Sequence, residues 1–347
     1  MRYQDKQRIA YYAALSILFG SIELFIPKIL PFFRLGLSNI PMFLALDMPL
    51  HSFLLLATLK ALGNSYISGN IFSFFVLISL SQSLISALLM WLLKRTGLFS
   101  NYGLSISGAG ASAVTQLAVS SLYIGNSVFS FLPLMLASSL ATSIAVAFFS
   151  YRVEALRIPP EIKGEEEVKT GSAIVLSLIV SLIAVMAVDH LASLIALALL
   201  SFLLQIKTGR KLKIIPHLTI AAFMVLSALL SPEGRVLGTI GSFMITEGAL
   251  LDGIAKAIRL SSTVALSQAY SPVLRPGKNL LGDTLKYSTS LFSAFEKQEG
   301  TIENRVLATL SLKSLEAKEP KKREARPFYV VFSVLFFAIA FLEKLMF

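Results

Sequence analysis

An all-α polytopic membrane protein is the fold class that this sequence predicts, and three features predict it. Hydrophobic residues make up 55% of the 347 and charged residues only 15%, which is too apolar for a soluble domain and too long for a simple anchor. Several separate apolar runs fill the chain, and Phe72 to Leu93, Val128 to Ser150 and Pro327 to Phe347 reach the ~20 residues that a spanning helix needs. None of them alternates in period two, as β-barrel strands do. A charged stretch, Tyr151 to Gly171, divides the runs into two membrane halves. The expected domains are therefore a first half at 1–152, a charged cytoplasmic linker at 153–171 and a second half at 172–347.

Loop charge orders the segments. Arg2, Lys6 and Arg8 precede the first run and place the amino terminus in the cytoplasm. Lys94 and Arg95 return to that side only if the stretch around Asp47 and Pro49 is a broken pair rather than one span. The first half then has six segments, near 8–27, 33–48, 50–63, 71–94, 102–124 and 127–150. In the second half, runs near 172–188 and 190–206 turn at Asp189 and His190, which puts Lys207, Arg210, Lys211 and Lys213 inside. Runs near 214–230 and 244–270 leave Ser231 to Gly241 outside, and a last run spans 327–346 after a long cytoplasmic stretch at 271–326. The expected location is a bacterial-type cytoplasmic (inner) membrane, crossed many times. The first run continues through Glu23 to Pro27 with no small-residue cleavage pattern, so no signal peptide is expected.

Within the cytoplasmic stretch, Leu281, Leu285, Ser288, Phe292 and Phe295 recur at steps of four and three, one apolar stripe of a helix. A shorter stripe, Ile302, Val306 and Leu310, follows the break at Gly300. Two amphipathic helices are expected across about 278–318, and their stripes need cover, from the membrane surface or from the spans.

Several classes of function are excluded or disfavoured. With no cysteine there is no disulfide and no thiolate chemistry. The net charge of +11 fits cytoplasmic loops beside anionic lipid better than nucleic acid, and no nucleic-acid partner is expected. His51 and His217 stand alone and His190 sits at a turn, so no metal site is expected. Gly277-Lys278 lacks the upstream glycine of a phosphate-binding loop, so the chain binds no ATP by that route.

Ionisable groups inside a membrane cost about 2.5–3.5 kcal/mol at the bilayer centre and are functional candidates by default. Glu23 and Lys60 are the clearest, with Arg34, Asn39, Asn64 and Gln116 falling on the same outer side of the expected bundle. One reading is a pocket open to the outside, its cations facing an anionic or strongly polar ligand. The other is a structural ion pair of Glu23 with Lys60 or Arg34. Small residues crowd Ser107 to Ala113 around Gly108, and Ala137, Ala141 and Ala145 recur every four residues, a pattern that lets helices approach closely.

The runs Glu23-Leu24-Phe25-Ile26-Pro27, Arg34-Leu35-Gly36-Leu37-Ser38-Asn39-Ile40 and Ser107-Gly108-Ala109-Gly110-Ala111, with Gln116, resemble the Gx transporter family, often labelled heptaprenyl diphosphate synthase component I. That family is similar to the substrate-binding S components of energy-coupling factor (ECF) vitamin transporters. The resemblance covers about residues 8–152 and implies a six-helix S-component-like bundle with an outward pocket. It also implies an Ala-xxx-Ala face on helix one, here Ala10 and Ala14, that meets a scaffold subunit. In the second half, Ile245-Thr246-Glu247-Gly248, Gly253 and Arg259-Leu260 resemble the Thr-x-Glu-Gly and downstream arginine of the transmembrane T component of the same transporters. The implied architecture is a five-span T-component-like half with two cytoplasmic coupling helices, reaching ABC-type ATPases that bring the ATP.

One position departs from the family. T components end a coupling helix with Ala-Arg-Gly, whose arginine docks the ATPase, and here Gln298-Glu299-Gly300 stands in that place. Either the ATPase groove has changed, or Arg305 has taken over, or no ATPase binds. The prenyl synthase label lacks chemistry behind it, since the chain has no adjacent aspartates to hold Mg²⁺ on a diphosphate. The expected protein is no enzyme and holds no cofactor itself. It is an importer subunit for a small vitamin-like or anionic or isoprenoid-like ligand, with a non-catalytic partner of a prenyl synthase or redox complex as the alternative and an ATP-independent carrier as a weaker one.

Overall fold

The computed structural model describes residues 3–23, 36–152, 161–163, 172–241, 243–274, 277, 279–312, 314–316 and 327–346. The first half contains α1 (Tyr3–Glu23), a 3-10 turn (Leu37–Asn39), α2 (Ile40–Leu44), α3 (Leu50–Ile67), α4 (Phe74–Thr96), α5 (Asn101–Ile124) and α6 (Leu132–Arg152). Helices α1 and α3 run side by side in the same direction, because Gly20 lies on Asn64 and Gly63 on Ile17 with no room for a side chain at either glycine. The broken second segment accounts for that parallel pairing. Its described part, Leu37 to Leu44, is a 3-10 turn followed by α2, with Pro41 in the first turn of α2, and it ends in a turn before Pro49. Eight residues rise only about 12 Å, so this stretch does not cross a membrane by itself.

Local chemistry sets the other boundaries. Gly97, at φ 71°, takes the left-handed conformation that closes α4. Ser100 opens α5 by accepting a hydrogen bond from Gly103 N at 3.3 Å. Trp91 Nε1 donates to Met48 O at 3.0 Å, which seats the start of α3 beside the end of α4. Ala137 and Ala141 are exposed, so the expected close-packing face on α6 points away from the bundle. Spacing alone does not tell a helix-facing stripe from a lipid-facing one.

The second half contains α7 (Ser172–Ala187), α8 (Leu191–Lys207), α9 (Ile214–Leu229), an antiparallel hairpin of β2 (Val236–Ile240) and β3 (Phe243–Thr246), α10 (Glu247–Tyr270), α11 (Leu280–Lys297), α12 (Ile302–Leu310) and α13 (Phe328–Met346). Helix α10 is the centre of this half: from Leu260 to Ser267 every residue is buried. Glu343 of α13 accepts from Asp189 N at 2.8 Å and His190 N at 3.3 Å, so a side chain from the last helix satisfies the start of α8. At Gly253 a Cβ would lie 2.9 Å from Val225 Cα, which is backbone and does not yield. Gly253→Leu is therefore expected to prise α9 from α10 and to cost about 1–3 kcal/mol, read as a lowered thermal midpoint in detergent. An unchanged midpoint would contradict this packing.

Three helices are long and apolar enough to cross a membrane, Phe74–Thr96, Asn126–Phe148 and Phe328–Met346, and three shorter apolar ones are Ser172–Ala187, Leu191–Lys207 and Ile214–Leu229. Their outer faces leave large apolar side chains bare, as at Phe148, Ile183, Leu199 and Phe337. Helices satisfy their own backbone, which is what a bilayer requires of a spanning segment. The chain is a multi-span helical membrane protein.

The amphipathic helices form where the stripes predicted them, and the first half covers them. Tyr287, Leu291 and Phe295 of α11, with Val306 and Leu310 of α12, share one buried cluster with Ile9, Ala10, Ala14 and Leu18 of α1. The rings of Tyr11 and Tyr287 meet edge-on at 6.0 Å between centroids. The linker contributes too: β1 (Glu161–Lys163) pairs in parallel with β4 (Ser314–Glu316), just after α12.

Sidedness read from loop charge needs correction where the halves meet. The turn after α3 was expected outside and residues 271–326 inside, yet the Tyr66 hydroxyl donates to Leu274 O at 2.7 Å and lies 3.2 Å from Ser271 O. Phe72 N donates to Ser267 Oγ at 3.1 Å, while Tyr123 Oη donates to Lys256 O at 2.9 Å. Two turns at one end of the first bundle thus meet α10 at points eleven residues apart, about 17 Å along the helix. Helix α10 crosses that end instead of running with the bundle. Loop charge treats every bundle as upright, and a crossing of two bundles leaves no mark in it.

Candidate functional site

Between the 3-10 turn and helices α3, α4, α5 and α6 the first half forms a partly open cavity of about 70 Å³. Lys60, only 6% exposed, projects into it from α3 and donates to Asn39 Oδ1. Asn39 can reach because it stands at the joint between the 3-10 turn and α2 and caps neither with its side chain. Gly36, at φ 83°, begins that turn in a conformation that costs a larger residue energy. The rest of the lining is mostly hydroxyl. Ser38, Ser83, Ser86, Ser105, Ser112, Ser139, Thr142 and Ser143 face it, with the amides of Gln82 and Gln116. Ser112 Oγ donates to Gln82 Oε1 at 3.3 Å and Ser105 Oγ to Ser143 O at 2.8 Å, which tie α5 to both neighbours. Gly108 shapes the wall, since a Cβ there would lie 2.6 Å from Met90 Sδ and 3.1 Å from Ser86 Oγ.

Four of the seven ligand candidates therefore share one cavity: Asn39, Lys60, Gly108 and Gln116. Asn64 does not join them. One turn beyond Lys60, it turns to α1 against Gly20, and its buried Nδ2 has no hydrogen-bond partner. Arg34 lies outside the described residues, and so does the side chain of Glu23 at the end of α1. Sequence reasoning singled out Ser112 beside Gly108 but missed the serines of α4 and α6 and the thioethers of Met90 and Met135. The signal was present as Gln82, Ser83, Ser86 and Met90 on one face of α4, and as Ser139, Thr142 and Ser143 on one face of α6.

The partner candidates fall at the junction of the halves. Ala10 and Ala14 are buried beneath α11 and α12, in the cluster described above. Glu299 and Gly300 are exposed at the elbow between α11 and α12, with Gly300 at φ 102°. Arg305 turns inward: Nη2 donates to Phe295 O at 2.9 Å, and the guanidinium lies 4.3 Å from the Phe295 ring centroid. It closes the end of α11 and offers no free fork to a partner in this arrangement. Arg305→Ala is expected to loosen the elbow by about 1–2 kcal/mol, seen as faster amide exchange across 295–305, and unchanged exchange would contradict the closure.

The residues resembling a T component also hold structure together. Thr246 Oγ1 accepts from Glu233 N at 3.1 Å, Gly248 packs on Glu233 O, and Arg259 Nη2 donates to Val188 O at 2.6 Å.

Residues 12–153 match the heptaprenyl diphosphate synthase component I family. This component I domain contains the whole cavity. A second match, at residues 165–270, is to a domain of unknown function (DUF8519). No curated protein and no solved structure matches the chain.

Proposed function

We propose that the component I domain binds a small polar ligand in the Lys60 cavity, and that the second half acts as the scaffold of an ECF-type importer, reaching cytoplasmic ATPases through α11 and α12. The cavity carries the reading. Eight hydroxyls, amides and a lysine gathered inside apolar helices have a desolvation cost that packing alone does not require. Burial of α11 against α1 supports the scaffold role, because it joins the ligand domain to the amphipathic helices that an ATPase would meet. The reading is non-catalytic: ATP hydrolysis belongs to the partner, and this chain holds the ligand. Glu299 at the elbow implies that such an ATPase offers a different groove from the usual one.

The family description favours a second reading, a non-catalytic membrane partner of a prenyl diphosphate synthase. The hydroxyl-rich lining speaks for a polar ligand over an isoprenoid tail. Purification of the tagged chain from its native membrane separates the two. Recovery of an ABC-type ATPase supports the importer, recovery of a prenyl synthase supports the alternative, and recovery of neither rejects both coupling partners.

A further inference from the structure

The turn between α8 and α9 sets a block of positive charge directly against an apolar face. Lys207-Thr208-Gly209-Arg210-Lys211-Leu212-Lys213 holds four cations and no carboxylate. Its backbone is fixed, because Gly209, at φ 73°, donates to Ile206 O at 2.9 Å and Thr208 N donates to Leu204 O at 3.0 Å. Two of the cations lean on neighbouring helices: Lys207 Nζ lies 5.7 Å from the Phe332 ring centroid, and Arg210 Nη2 donates to Ser271 Oγ at 3.3 Å. Lys211 and Lys213 are exposed. The ion pairs of Arg259 and Lys344 with Asp189 lie at the other end of α8, about 25 Å away along the helix. Apolar side chains flank the block on both sides. Leu199, Leu203 and Ile206 form an exposed stripe on α8 that runs up to Lys207, and Ile214, Ile215 and Leu218 open α9 exposed directly after Lys213. Exposed apolar faces on a membrane protein belong against acyl chains. An anion that meets these lysines therefore sits where the acyl chains begin, a level that lysine stems reach by lying along apolar surface. A soluble anion fits the charge alone, whereas an anion joined to acyl chains fits the charge and both flanks.

We propose that this turn binds the phosphate headgroup of an anionic phospholipid through Lys207, Lys211 and Lys213, with the acyl chains along the exposed flanks of α8 and α9. The site adjoins the joint between the halves. Arg210 holds Ser271, and Ser271 O lies 3.2 Å from the Tyr66 hydroxyl of the first half. The lipid site is independent of what the Lys60 cavity holds.

The test titrates the full-length chain in neutral detergent with dioctanoyl phosphatidylglycerol, with dioctanoyl phosphatidylcholine and with glycerol 3-phosphate, which carries the phosphate without acyl chains; native mass spectrometry and thermal shift read the binding. Phosphatidylglycerol is expected to bind at least about tenfold more tightly than phosphatidylcholine, with the difference shrinking as salt is raised. Glycerol 3-phosphate is expected not to bind. The triple variant Lys207→Gln/Lys211→Gln/Lys213→Gln is expected to bring the two lipids to within about twofold of each other, while Lys344→Gln, at the far end of α8, keeps the full preference. Without added lipid both variants are expected to melt with the wild type. If the triple variant does not fold, Lys211→Glu and Lys213→Glu are each expected to cut the preference severalfold. Equal binding of the two lipids by the wild type overturns the proposal, and so does a preference that survives these substitutions. Binding of glycerol 3-phosphate that the lysines control also overturns it, and makes the turn a site for a soluble anion.

Discussion

Replacing Lys60 by methionine is expected to lower affinity for the cavity ligand by roughly ten- to a hundredfold, the equivalent of the ~1.5–3 kcal/mol that a charged hydrogen bond contributes. Methionine keeps the length of the side chain and removes only the ammonium, so no new void enters a site that is 6% exposed. Stability should not fall in parallel. The substitution keeps the bulk of the side chain, and it leaves Asn39 half-buried, where water can replace the lost donor. Calorimetry with a panel of small polar and anionic compounds and a thermal scan of the same preparation separate these two effects. Asn39→Leu, which removes the group that positions Lys60, is expected to produce a smaller loss. Wild-type affinity in Lys60→Met would show that the buried charge takes no part in binding.

Truncating Leu291 to alanine is expected to cost about 2–5 kcal/mol, the range for a buried leucine whose surroundings cannot collapse. Leu291 is 1% exposed in the cluster where α11 meets α1. The consequence should be specific to this seam. Once its central anchor is gone, α11 lifts from α1 more often, so protease cleavage within 280–297 accelerates before the spanning helices are attacked. Lys297→Ala, at an exposed position of the same helix, is expected to stay within about 0.5 kcal/mol of wild type. Equal cleavage rates for Leu291→Ala and Lys297→Ala would mean that the seam does not depend on this side chain.

Much of the architecture was legible because the physics of each element is local. Apolar runs gave the spans, and steps of three and four through Leu285, Ser288, Phe292 and Phe295 gave α11 together with the face it buries. Lys60, Asn39 and Gln116 stood out because strongly polar groups are rare in such runs, and the cavity brings them together. The serines were silent for a physical reason. A serine in a membrane helix satisfies itself on the carbonyl three or four residues back, as Ser139 and Ser143 do, so its presence does not announce a site. The hairpin of β2 and β3 was hidden by Gly234, Gly238 and Gly241, which interrupt any strand pattern and read as a loop. Crossing of the halves rests on Tyr66, Phe72 and Tyr123, three ordinary residues whose partners lie more than a hundred positions away.

The two family matches end at residue 270, and the helix that welds the modules begins at residue 280. Neither match contains the piece that joins them. A protein assembled this way is not two beads on a string, because cutting the linker at 164–171 leaves α11 still gripping α1 and β4 still holding β1. Split at that linker and expressed as two polypeptides, the molecule has the means to reassemble by itself. The same split placed at 271–279 would strand the gripping helix on a fragment that lacks the core of its own half.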